Sequence, residues 1–358
     1  MKRKVISLVS VLGLTLSLIL ARCGQAEPPP VEKPPVEKPA EKPTIKIRYA
    51  SFQPPNHPLY MSVEKQFKAL EEKTKGRITV AMHPSGSLIG GKDMLAGIGT
   101  GTADIGHLYA PYMPSTLPIG TAHQIPFLFD DKYHYIRCVE DPAYTAFFNT
   151  TMTQFNVISA DYKYCFSYDI MCSKKQIKVP SDLEGVSIKA SGTAPIALIK
   201  KCGGTPVGMV YTEMYESVMR GLLDGGLTST TASVTYKFWD IADYYTELAL
   251  YPAEGGEIVN KDFYNSLSEE DRKLVMGALN ASADYTIRTH LEKEEPDGEW
   301  GKALRDNYKS FYKATPEELA QWQEIAAPLQ DEFRERLDDK NKALFDEYLK
   351  LVKKHRTK

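Results

Sequence analysis

Residues Pro180–Gly226 read PSDLEGVSIKASGTAPIALIKKCGGTPVGMVYTEMYESVMRGLLDGG, and their punctuation sets the architecture. Pro180-Ser181-Asp182 with Leu183-Glu184-Gly185 forms a turn, after which Val186–Ala190 reads as a short strand. Ser191-Gly192-Thr193 has the polar composition of a helix cap, Pro195 suits a first helical turn, and Gly203-Gly204 stops the helix. Val207–Val210 reads as a second strand, and Thr212–Leu223 as a second helix with Met214, Val218 and Leu222 on one stripe, stopped by Gly225-Gly226. Strand, helix, strand and helix at this spacing predict a parallel α/β layer whose strand ends open on one crevice, where ligands bind. Lys189, Met209 and Tyr211 fall at or just past such ends and are the first candidate ligand contacts.

The same stretch resembles a known family. Asp182-Leu183-x-Gly185, Ile188, Gly203-x-x-Pro206, Glu213-x-Tyr215 and Gly221-x-x-Asp224-Gly225 are similar to the signature of the extracytoplasmic solute receptors of TRAP transporters, the dicarboxylate-receptor type. The resemblance runs from about Ile45 to about Ala281. It implies a two-lobed α/β fold of periplasmic-binding-protein type, class II-like, with strands crossing a hinge and a long helix bracing the lobes. It further implies binding of a small organic acid and delivery to TRAP membrane subunits. Lys189 stands where the family carries an arginine that grips the substrate carboxylate. An arginine meets a carboxylate bidentately, whereas lysine is a point charge on a flexible stem. Thr228 and Thr230 stand near the family's polar position after Asp-Gly, and Tyr211 where an aromatic is common.

Upstream, Ile45, Ile47 and Tyr49 alternate with Lys46 and Arg48, which predicts a strand over Ile45–Phe52. Pro58 opens a helix through Lys75, Arg77–His83 is a second strand, Asp93–Gly99 a helix and Ala103–Tyr109 a third strand. Phe52, Asn56 and His57 at the first strand's end and Tyr109 at the third's are further candidates for the pocket. Gly97-x-Gly99-Thr100-Gly101 follows a helix and opens a strand, the reverse of a phosphate-binding loop, so it reads as a cap and turn. Val157–Cys172 is a long strand, or two, crossing between lobes; Tyr162, Tyr164, Phe166 and Tyr168 alternate along it and share one face, which puts Tyr164 among the candidates. Lys163–Cys172 holds no arginine but holds Asp169, and a pocket with lysine, aspartate, tyrosine and threonine raises an amphipathic or zwitterionic ligand such as an amino acid as an alternative.

Downstream, Thr235–Ile241 reads as helical, Tyr244–Tyr251 and Glu257–Asn260 as strands, and Arg272–Glu295 as one long helix. Trp300–Tyr312, Pro316–Ile325 and Pro328–Lys353 read as amphipathic helices. This assigns 45–160 to lobe I, completed by about 251–290, and 161–250 to lobe II, completed by 296–358.

The chain begins with Lys2-Arg3-Lys4 and an apolar run, Val5–Leu20, an export signal over 1–22. Leu20-Ala21-x-Cys23 resembles a lipobox, with Cys23 as the lipidated residue. The Pro-, Glu- and Lys-rich stretch over 23–44 has almost nothing to bury and reads as a tether, about 60 Å long if polyproline-like. The reading places the domain outside the cytoplasm, held to a membrane through Cys23, with soluble export or an uncleaved anchor as the alternatives.

The 358 residues carry 44 Lys and Arg against 46 Asp and Glu, which argues against nucleic acid as a partner. No motif places a nucleophile beside a base or pairs two acids, so the reading is a receptor and not an enzyme, with no cofactor. His134 and Cys138 share a helical face, but two ligands make no zinc site. Cys138, Cys165, Cys172 and Cys202 allow three disulfide pairings, none favoured. A subunit that feeds a sensor kinase instead of a permease is the alternative partner reading.

Overall fold

The computed structural model describes residues 42–161, 166–253 and 255–356. In chain order the strands are β1 (Ile45–Ala50), β2 (Ile78–His83), β3 (Ile105–Leu108), β4 (Val157–Asp161), β5 (Phe166–Cys172) and β6 (Ser187–Lys189). They continue as β7 (Thr205–Val207), β8 (Gly225–Ser229), β9 (Tyr244–Glu247), β10 (Pro252–Ala253), β11 (Gly256–Asn260) and β12 (Ser310–Lys313). Two sheets result, β2-β1-β3-β11-β4 in lobe I and β12-β9-β5-β8-β6-β7 in lobe II, with β10 paired to β5.

Lobe I begins as the alternation in β1 dictates. Ile47 and Tyr49 are buried while Lys46 and Arg48 are exposed, and β1 pairs in parallel with β2 and β3. The helix Pro58–Lys73 starts on its proline, as a residue without an N–H can. Strand β11 returns from lobe II to lie antiparallel between β3 and β4.

In lobe II, β6 runs parallel to β7 and β8, and β5 lies antiparallel to β8 and β9. The start of β5 therefore sits at the same sheet edge as the ends of β6 and β8. That edge carries the site.

Several expectations are corrected here. Gly225-Gly226, expected to stop the preceding helix, instead opens strand β8, where both glycines are required for space. A Cβ on Gly225 would lie 2.1 Å from the Met171 carbonyl oxygen, and one on Gly226 2.4 Å from Met214 Sδ. The preceding helix is shorter than its stripe implies, Tyr211–Met219, because the chain turns left-handed at Gly221. Leu222 is consequently 74% exposed while Met214 and Val218 are buried. Residues 310–313 form a strand parallel to β9, not the end of a helix. Helix Thr230–Tyr236 precedes the expected one and ends at Lys237, which is left-handed.

The long helix is Glu269–Glu294, capped by Ser268, whose hydroxyl accepts from the Asp271 N–H. It packs along Pro58–Lys73 in lobe I and leads into helix Glu299–Asn307, which packs on Thr230–Tyr236 in lobe II. Thr315 and Glu318 close the reciprocal box expected at the start of Pro316–Ala326. The C-terminal helices divide between the lobes. Pro316–Ala326 and Leu329–Glu335 pack on the lobe-II helix Thr193–Lys201, but Asp339–Lys354 packs on lobe-I helices Lys132–Val139 and Pro142–Met152. Assigning all of 296–358 to lobe II is thus corrected: Phe345, Tyr348 and Val352 bury with Tyr144 and Phe148, and apolar burial decides the partner.

Residues 1–41, with the expected export signal, Cys23 and most of the tether, lie outside the described residues.

Candidate functional site

Lys189 is the last residue of β6 and is 1% exposed. Among the described residues its ammonium has no carboxylate partner. Its Nζ lies 4.1 Å from the centroid of the Tyr211 ring and 5.9 Å from that of Tyr168, contacts in which a ring face attracts a cation. Burial alone pulls its pKa down to about 7.

Three tyrosine hydroxyls meet beside it. Tyr211, first residue of its helix, donates to Tyr168 Oη at 2.7 Å, and Tyr168 Oη lies 2.7 Å from Tyr109 Oη. Gln124 Nε2 donates to Tyr109 Oη at 3.1 Å. Tyr109 and Gln124 belong to lobe I, Tyr168 and Tyr211 to lobe II, so this chain joins the lobes over Lys189. Burial raises all three phenols well above their ordinary range, which keeps them protonated donors. Aromatic neighbours close the surroundings. Tyr112 stands edge-on to Tyr109 at 4.8 Å and to Phe52 at 5.3 Å, Tyr251 stacks on Tyr168 at 4.8 Å, and Phe238 lies 5.7 Å from Tyr211.

Of the sequence candidates, Lys189, Tyr211 and Tyr109 come together, with Phe52 half-buried behind Tyr112. Met209 is half-buried between β7 and the Tyr211 helix and packs on the lobe-II core. Asn56 is at the rim, exposed, with Nδ2 3.4 Å from the Thr235 carbonyl across the lobes. His57 is not presented to the crevice chemistry: it caps Pro58–Lys73, its Nδ1 accepting from the Leu59 N–H, and burial, with His290 and His107 nearby, holds it neutral. Thr228 is fully buried in β8, its hydroxyl 3.4 Å from the Ser229 carbonyl. Tyr164 lies outside the described residues.

Thr230 lines a different space. A cavity of about 400 Å³ has Asp169, Thr230, Tyr245, Glu247, Glu294 and Lys313 among its walls, and Lys189 is not one of them. Its charges are largely committed: Glu247 pairs with Lys313 at 2.7 Å and Glu295 with Lys132 at 2.7 Å. Asp169 takes the Tyr245 hydroxyl and the Leu248 and Ala249 N–H groups, so it braces the turn back to lobe I and is not a free anion beside Lys189. Burial raises Asp169 to about 6.

Reading the residues alone missed Gln124 and Tyr251 altogether. Tyr168 carried a signal, the alternation along β5. Gln124 carried none, being one polar residue in an irregular stretch. His134 and Cys138 are packed in the interior: His134 Nε2 meets the Val352 carbonyl at 2.8 Å, and Cys138, Cys172 and Cys202 are free thiols.

A crevice between two lobes, joined by crossing segments and holding the buried Lys189 ammonium, defines a binding protein of the two-lobed type. Residues 49–336 match the family model of bacterial extracellular solute-binding protein, family 7, and the chain belongs to that family, the receptors of TRAP transporters. It is 23% identical over 299 residues to the C4-dicarboxylate-binding periplasmic protein DctP of Rhodobacter capsulatus, covering 82% of this chain and 87% of the relative. Its fold is similar to that of the sugar acid binding protein of Advenella mimigardefordensis in complex with galactonate, at TM-score 0.80 and 16% identity, over 88% of this chain and 100% of that one. It is similar also to a Bordetella pertussis extracytoplasmic solute receptor binding pyroglutamic acid, at TM-score 0.78 and 18% identity, over 85% and 99% of the two chains.

Proposed function

We propose that this protein is an extracytoplasmic receptor that closes its lobes over a small organic acid and hands it to TRAP-type membrane subunits. The observation that carries the reading is the Lys189 ammonium, buried at a strand end against the rings of Tyr211 and Tyr168 with no carboxylate partner among the described residues. A ligand carboxylate supplies the missing charge, and water exclusion on closure strengthens the pair. The acids bound by the family relatives support the same class. Binding and release constitute the mechanism, with hinge motion about the β4–β5 and β9–β11 crossings. Export by residues 1–22 and anchoring through Cys23, with 23–44 as spacer, complete the proposal.

The test is a melting screen of the purified protein against carboxylic acids, amino acids and neutral sugars. A ligand at about 1,000 times its Kd adds about 4 kcal/mol. The reading predicts that a carboxylic acid gives the largest shift and that Lys189→Met abolishes it. Shifts from neutral sugars alone, or shifts that survive Lys189→Met, would overturn it.

A further inference from the structure

We propose that the cleft selects a monocarboxylate carried on a flat aromatic body, over dicarboxylates and sugar acids. This rests on the receptor reading above and narrows it. Three observations converge on the class.

The first is charge. Among the described residues Lys189 is the cation at the tyrosine cluster, and two arginines of lobe I, Arg48 and Arg77, are committed to Asp104 and Asp271. A second carboxylate on the ligand would be desolvated without a counter-charge among the described residues, which is unfavourable. The second is the hydrogen-bond count. The hydroxyls of Tyr109, Tyr168 and Tyr211 bring three protons to two mutual bonds, and Tyr109 also receives the Gln124 amide. One hydroxyl proton is left over. With the N–H groups of Lys189 it serves the two oxygens of one carboxylate.

The third is the wall. Tyr211 and Phe238 of lobe II pack on each other, as do Tyr112 and Phe52 of lobe I, and Tyr236 stacks on Phe238 at 5.4 Å and 8°. Ring faces carry negative charge density and repel an anion, while they favour another ring offset-stacked or edge-on. The carboxylate therefore points to Lys189 and the ring lies between the lobes.

Calorimetric titration of the purified wild-type protein tests this without relying on any variant. The probes are benzoate, phenylacetate and 4-hydroxybenzoate, then succinate, galacturonate, and benzamide as an uncharged ring. The best aromatic acid should bind at least tenfold tighter than succinate and galacturonate, and at least tenfold tighter than benzamide. Lys189→Met, confirmed folded by its melting transition, should weaken that acid at least tenfold. If succinate or galacturonate binds as tightly as the aromatic acids or tighter, the ligand class falls while the receptor reading stands. If none of these acids binds and no acid shifts the melting temperature, the receptor reading falls with it.

Discussion

An ammonium buried with ring faces for company and no carboxylate partner opposes folding wherever it stays charged. For Lys189 the folded pKa is about 7 against an ordinary 10.5. The unfolded chain therefore binds the extra proton between those values, and stability rises with pH across that window. Below pH 7 both states are charged and the full cost of burial is present. Lys189→Met should accordingly be more stable than wild type by roughly 5 kcal/mol at pH 6, with the gap narrowing toward pH 10. Urea unfolding of both proteins at pH 6, 8 and 9.5 checks it. A pH-independent difference, or a less stable variant, would contradict the burial of a free cation. Legibility at this scale followed backbone position. Lys189, Tyr109 and Tyr211 were readable because strand ends are marked by glycines and turns. Gln124 was not, because only the approach of the other lobe gives it a role.

Strands and helices were legible where one periodicity ruled. In β1 the buried residues alternate with exposed charges, and in Pro316–Ala326 the box of Thr315 and Glu318 marks the start. They were hidden where packing overrode local preference. Gly225 and Gly226 look like a stop, but form a central strand because Met171 and Met214 leave no room for a Cβ. Gly192 is a second such place. It precedes the helix Thr193–Lys201 at φ 92°, and a Cβ there would lie 2.0 Å from Gln124 Oε1 of lobe I. Gly192→Ala should lose roughly 1–3 kcal/mol for the backbone alone, and more from the contact between lobes. Gly221→Ala is the control: φ is 70° with nothing within 4 Å of the added Cβ. Denaturant unfolding should show the larger loss at Gly192. Equal losses would mean that Gln124 does not press on that helix.

Across the whole molecule, two lobes were legible from the doubled strand–helix pattern and from the resemblance of Pro180–Gly226 to a receptor family. The return of Asp339–Lys354 to lobe I was not, since an amphipathic stripe shows that a helix is buried without naming its partner. Long-range closure decides the chemistry of the site: Tyr109, held by Gln124, reaches Tyr168 only because segments cross between the lobes, among them the helix Glu269–Glu294. Closing the lobes on an acid should also restore the proton that burial removes from Lys189.

That proton gives the most direct measurement. Calorimetric titration at pH 8, in buffers of different ionisation enthalpy, with the tightest acid of the melting screen, counts the protons taken up on binding. With a free pKa of about 7, Lys189 is mostly neutral at pH 8, and a bound carboxylate returns it to the charged form. The account predicts uptake of about one proton per ligand, absent in any residual binding by Lys189→Met. Binding with no proton uptake would contradict a carboxylate held by Lys189.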